Sequence, residues 1–201
     1  MPTKPTILPP PYFDIARIWR RIKISFKKLF FGKPAYCRKD HVYTRRVVKL
    51  LEEFSDGGCE SIIDVGSRGV DIMSGLPLKR KVSIDLEKPL VADGVESVQG
   101  DFFDYQPKEQ FDIVCCMQVL EHVPEVEKFT EKLFAIARKY VIISVPYKWP
   151  AGSCKRHIHD PVDEEKMAIW TKNDPIVAEV VAEYALSKKG KRMICIYQKA
   201  S

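Results

Sequence analysis

Nowhere in this 201-residue chain does an apolar run reach the roughly 18 residues that cross a bilayer. None of its six cysteines (Cys37, Cys59, Cys115, Cys116, Cys154 and Cys195) sits in a C-x-x-C pair, which argues against a zinc site of the usual spacing. Cys115 and Cys116 are adjacent in an apolar stretch and read as buried thiols in a reducing compartment. The dinucleotide fingerprint G-x-G-x-x-G is missing, and so is the G-K-[ST] ending of a phosphate-binding loop. The start, "MPTKPTILPPPYFD", is broken by proline and followed by no cleavage pattern. It is not expected to act as a secretory signal, and a cytoplasmic location is the expectation.

Acidic residues are scarce at one end only. Residues 1–50 carry 13 Lys and Arg against Asp14 and Asp40, a charge of +11, whereas the rest carries 20 against 25, a charge of −5. The net +6 therefore belongs to an N-terminal arm. A nucleic-acid footprint spread over the fold is disfavoured, and no nucleic-acid partner is expected. After a proline-rich start, residues 12–33 place Phe13, Ile15, Ile18, Trp19, Ile22, Phe26, Leu29 and Phe30 at steps dominated by three and four. That spacing predicts a helix with one apolar face and a basic remainder. Such a helix suits an anionic membrane surface, or packs on its own domain or a second subunit. The chain divides on this reading into an arm, 1–39, and a domain, 40–201.

The domain has 45% hydrophobic residues behind it, enough for a core. A helix is expected over 40–54. Strands follow at "SIIDV" (61–65), "KVSIDL" (81–86), near "VESVQG" (95–100), "FDIVCCM" (111–117) and "YVIISVP" (140–146). The segments between the first three are too short for full helices, whereas "VPEVEKFTEKLFAIARK" has helical spacing. Continuous apolar strands with helical crossovers predict an α/β fold, a mostly parallel sheet with helices on both faces. "IVAEVVAEYAL" and "KRMICIYQK" flank "SKKGK" and read as a hairpin, which predicts an antiparallel C-terminal strand.

Polar residues gather where these strands end. "IIDVGSRG" closes the first strand on a glycine turn, Asp85 ends the second, Asp101 follows the third in "GDFFDY", and "QVLEHV" follows the fourth. Open α/β sheets bind ligands at such carboxyl ends. The series "IIDVGSRG", "VSIDLE", "GDFFDY" and "FDIVCCMQVLEHV" resembles the class I S-adenosylmethionine-dependent methyltransferases, and "LEHV" looks like their small-molecule and glycan branch. The resemblance covers roughly residues 40–200 and implies a Rossmann-like fold and S-adenosyl-L-methionine as cofactor. It implies that Asp64, Gly66 and Ser67 lie at the first motif near the methionine end. Asp85 would take the ribose hydroxyls, Asp101 the adenine amino group, Phe102 would offer backbone and ring, and Gln118 would lie beside the sulfonium. The family's second motif glycine is Arg68 here.

An alcohol acceptor also needs its proton removed. His122, His157 and His159 are the candidates, all near expected strand ends. Gln118-x-x-Glu121-His122 with a later histidine is similar to the Glu-x-x-Glu-His…His metal set of the RNA 3′-terminal 2′-O-methyltransferases. Gln118 removes one charged ligand from that set, and no metal is assigned. The expected activity is O-methylation of a small or lipid-linked, sugar-type acceptor, with the arm holding the enzyme at the inner membrane face. A non-catalytic membrane-associated partner that keeps the fold is the alternative.

Overall fold

The computed structural model describes residues 41–183 and 190–199. The expected helix over 12–33 and most of the "SKKGK" turn lie outside them. The described residues all belong to one compact unit, Arg38–Ser201.

Helix α1 (Val42–Asp56) buries Tyr43, Val47, Leu50 and Leu51, which the three-and-four spacing puts on one face. It stops at Gly57, whose N–H bonds the Glu53 carbonyl at 3.1 Å. Seven strands follow: β1 (Ser61–Val65), β2 (Arg80–Asp85), β3 (Glu96–Gln99), β4 (Phe111–Met117), β5 (Ala137–Pro146), β6 (Val177–Ala182) and β7 (Lys191–Gln198). They form one sheet in the order β3-β2-β1-β4-β5-β7-β6. β3, β2, β1, β4 and β5 run parallel, and β7 is antiparallel to both β5 and β6.

The two faces of the sheet carry separate cores. Ile63, Val65, Val114, Cys116, Val141 and Ile143 pack against helix α2 (Val126–Ile136) and helix α3 (Glu164–Thr171). Their strand neighbours Ile62, Ile113, Cys115 and Ile142 face the other way, onto α1 and the coil residues Ile72, Met73, Leu76 and Leu78. Both faces are covered, so every residue of β1 and β4 is buried and both strands read as largely apolar runs. Cys115 and Cys116 are free thiols, and burial pushes both well above their ordinary pKa.

Two elements differ from the sequence reading. The helix expected over 123–139 spans only Val126–Ile136, because Ala137 already pairs with Phe111 as strand. Helix α3 has no counterpart in that reading; Asp163 caps it by accepting from the Lys166 N–H at 3.1 Å. The expected hairpin is present as paired β6 and β7. As anticipated, no helix links β1 to β2 or β2 to β3. Among the described residues no helix is long and apolar enough to cross a membrane.

Candidate active site

Strand order reverses at β1: the chain moves outward through β2 and β3, then returns to β4 on the other side. Connections leave the carboxyl ends of β1 and β4 in opposite directions, and a crevice opens between them. A cleft of about 440 Å³ occupies this place. Its walls include Gly66, Arg68, Asp85, Asp101, Phe102 and Gln118, drawn from the ends of β1 to β4.

The turn after β1 sets the near wall. Gly66 has φ +80°, and its N–H bonds the Ile84 carbonyl at 2.8 Å. A Cβ there would stand 2.4 Å from Val119 Cγ2, so only glycine lets the backbone pass. Arg68 keeps the left-handed conformation, φ +48°, where a glycine is usual in the family it resembles. Asp85 supports that strained residue: its Oδ2 accepts from the Arg68 N–H at 2.9 Å. Its Oδ1 accepts from the N–H groups of Glu87 and Lys88, at 2.9 and 2.8 Å. A carboxylate offers about four acceptor directions, so capacity remains for a ligand hydroxyl.

Asp64 and Ser67 lie behind the turn, around a small second cavity with Tyr43, Val70 and Met117. Ser67 Oγ accepts from Ser83 Oγ at 2.8 Å and ties the turn to β2. Asp64 is 1% exposed, and neither carboxylate oxygen has a hydrogen-bond partner among the described residues. Burial first, and the nearby Asp85 charge second, raise its pKa to about 8. An uncompensated carboxyl of this kind is a ready seat for a cationic group.

The third strand contributes Asp101, whose Oδ1 accepts from the Phe103 N–H at 2.8 Å, and the buried Phe102. Phe102 packs on Phe129 of α2 with ring centroids 4.9 Å apart. At the end of β4, Gln118 adopts φ +56°, bonds the Ser144 carbonyl through its N–H at 2.8 Å, and donates Nε2–H to Ser144 Oγ at 3.2 Å. The short turn Leu120–His122 then presents His122 to the cleft and turns Glu121 inward, 1% exposed.

Residues 63–143 match the methyltransferase domain family. The matched segment, which runs from β1 to β5, is thus similar to a methyltransferase domain. Solved structures share its fold. The N-methyltransferase NodS from Bradyrhizobium japonicum WM9, in complex with S-adenosyl-L-homocysteine, is 14% identical with a TM-score of 0.63, over 88% of this chain and 96% of that one. The magnesium protoporphyrin IX methyltransferase ChlM from Synechocystis PCC 6803, with bound cofactor, is 15% identical with a TM-score of 0.60, over 96% and 100%. The N-terminal domain of EvdMO1, in the presence of S-adenosyl-L-homocysteine and D-fucose, is 16% identical with a TM-score of 0.57, over 94% and 98%. No curated protein matches this chain in sequence.

The methyltransferase site fits the cofactor in this fold on three observations. Gly66 forms the cleft wall with backbone alone, the buried Asp64 carboxyl has no hydrogen-bond partner among the described residues, and Asp85 ends β2 at the cleft. When bound, S-adenosylmethionine supplies a methyl group already activated on sulfur, so the protein's task is to hold and orient.

The structure separates the three candidate histidines. His122 lines the cleft. His157 stands behind it, ring centroids 4.8 Å apart and edge-on. His159 faces elsewhere: its Nε2 is 2.8 Å from the Val123 carbonyl, and its ring packs edge-on against Trp170. Glu121, His122 and His157 hold their ligand-type atoms within 4.8 Å of one another. The sequence reading missed Arg156, Val119, Phe103 and Phe129 as lining residues. Phe129 carried a helical-face signal; Arg156 sits in a loop after β5 with no periodic pattern to flag it.

Proposed function

We propose that this methyltransferase acts on a hydroxyl oxygen of a small or lipid-linked acceptor of the sugar type. The observation that carries the reading is His122 in the cleft wall beside Gln118, backed by the buried Glu121. An amine acceptor at neutral pH has a lone pair once deprotonated by solvent, whereas an alcohol needs a group beside it to take or stabilise the lost proton. The Glu121–His122–His157 cluster is that group. Gly66 and Asp64 hold the methionine end of the cofactor, with Ser67 bracing the turn from behind. Asp85 takes ribose hydroxyls, Asp101 and Phe102 hold the adenine, and Gln118 borders the sulfonium. EvdMO1, studied in the presence of D-fucose, gives one case in which this fold meets a sugar. The basic arm, residues 12–33, would hold the enzyme at an anionic membrane face, where lipid-linked glycans are presented.

The test uses cofactor with a labelled methyl group and a panel of free sugars, lipid-linked glycans and amines. The expected result is an ether product, with His122→Ala lowering kcat by roughly 10²–10⁴-fold while cofactor affinity stays unchanged. A product methylated on nitrogen, or full turnover by His122→Ala, would overturn the hydroxyl reading.

A further inference from the structure

We infer that Glu121, His122 and His157 form a binding site for a first-row divalent cation such as Mn²⁺, Co²⁺ or Zn²⁺. The three residues come from two distant parts of the chain, the turn after β4 and the loop after β5. Glu121 Oε1 lies 3.8 Å from His122 Nε2 and 3.9 Å from His157 Nε2. Those separations exceed a hydrogen bond. They are close to the span of two ligands each about 2.1 Å from one ion.

The other ring nitrogens are already assigned. His122 donates Nδ1–H to the Arg156 carbonyl at 2.8 Å. His157 donates Nδ1–H to Asp160 Oδ2 at 2.7 Å, and the two side chains are 7% and 1% exposed. A histidine that donates from Nδ1 keeps its lone pair on Nε2, the atom that here faces Glu121. A carboxylate behind a histidine fixes the tautomer, aims the ring and raises the basicity of the ligating nitrogen. Trp149 lies over the His157 ring, 5.4 Å between centroids and 27° between planes, and limits its rotation further. Both imidazoles are therefore oriented, by separate partners, toward the same carboxylate.

Two imidazoles and one carboxylate form a donor set suited to first-row divalent ions rather than to magnesium or calcium, which favour oxygen. Three protein ligands leave positions open for water or an acceptor oxygen. His122 lines the cleft, so the ion belongs at the cleft wall. The site stands on its own geometry; with an ion bound, the ion rather than the His122 lone pair would stabilise a deprotonated acceptor oxygen, so the two roles of the cluster are alternatives.

The full-length chain, stripped with a chelator and dialysed, is titrated with Co²⁺ and read by visible absorption and calorimetry. One equivalent should bind, with the d–d bands of imidazole ligation. His157→Ala and Glu121→Gln should abolish the bands. Asp160→Asn should weaken binding by roughly 10–100-fold, the effect of losing the carboxylate behind a ligating histidine. His41→Ala, which leaves both loops untouched, should change nothing. Circular dichroism melts of each variant separate lost ligation from lost folding. If the intact chain binds none of Co²⁺, Zn²⁺ and Mn²⁺, the site is refuted without recourse to any variant. Binding that survives His157→Ala in a folded protein refutes the ligand assignment. Neither result touches the methyl-transfer reading, which the labelled-cofactor assay decides.

Discussion

Asp64 is an acid whose environment holds it far from its ordinary chemistry. The carboxyl is neutral in the folded chain until pH nears about 8, whereas the unfolded chain ionises it near its ordinary value. Between those values the folded state holds a proton that the unfolded state has released, so this group lowers stability as pH rises from about 4 to about 8. Above that window its penalty is constant, and below it there is none. The size should be on the order of a few kcal/mol. Denaturant melts at pH 5 and pH 8 should show Asp64→Asn gaining on the parent chain at the higher pH. Stability curves that stay parallel across the window would show that the carboxyl finds a partner inside the fold.

Helix α2 does two jobs at once. One face buries Phe129, Leu133 and Ile136 against the sheet, and Phe129 also reaches the cleft wall, where its ring packs tilted at 54° on Phe102 and meets Phe103 edge-on at 5.5 Å. Lys132 fastens the helix to the same loop by donating from Nζ to the Phe103 carbonyl at 2.7 Å. Phe129→Ala should therefore cost about 3–5 kcal/mol of stability, the range for deleting a buried ring. It should also weaken cofactor binding, since Phe102 loses its backing. Phe129→Leu should recover most of the stability and little of the affinity. Chemical denaturation with parallel cofactor titrations checks both, and an Ala variant with parental affinity would detach α2 from the site. The same helix shows how an element boundary escapes periodicity. "AIARK" continues a helical pattern, yet Ala137 is 0% exposed and pairs with Phe111. A long-range strand contact decided the residue, and local spacing does not encode it.

The whole molecule joins an acidic domain to a basic arm. Basic side chains near an anionic surface contribute about 1 kcal/mol each and are screened by salt, whereas an apolar face adds burial that salt does not remove. The full-length chain should sediment with anionic vesicles and much less with neutral ones. Binding should weaken but persist as salt rises, and Trp19→Ser with Phe26→Ser should remove the persistent part. A chain lacking residues 1–33 should keep cofactor binding and lose the vesicles. If the full-length chain ignores vesicles of both kinds, the arm packs on protein and the lipid-linked acceptor loses its main support.

The fold was legible because its determinants are local and repetitive. "SIIDV" and "FDIVCCM" put apolar residues on both faces, and strands of that kind are found between two covering layers. Gly66, Asp85, Asp101 and Gln118 were legible because each stands where a strand pattern stops, and the topology collects such stops along one edge. What tertiary structure alone decided is how side chains meet. Nothing in "CKRHIHDP" ranks His157 above His159. The ranking comes from the return of that loop against the turn after β4, where the Ile158 N–H bonds the Glu121 carbonyl at 3.0 Å. That bond sends the side chains on either side of Ile158 to different places, His157 toward Glu121 and His159 toward Trp170. Asp64 makes the same point in reverse. Its position in the motif is readable in the chain, but its raised pKa is a property of the cavity around it, because desolvation belongs to packing and not to order along the chain.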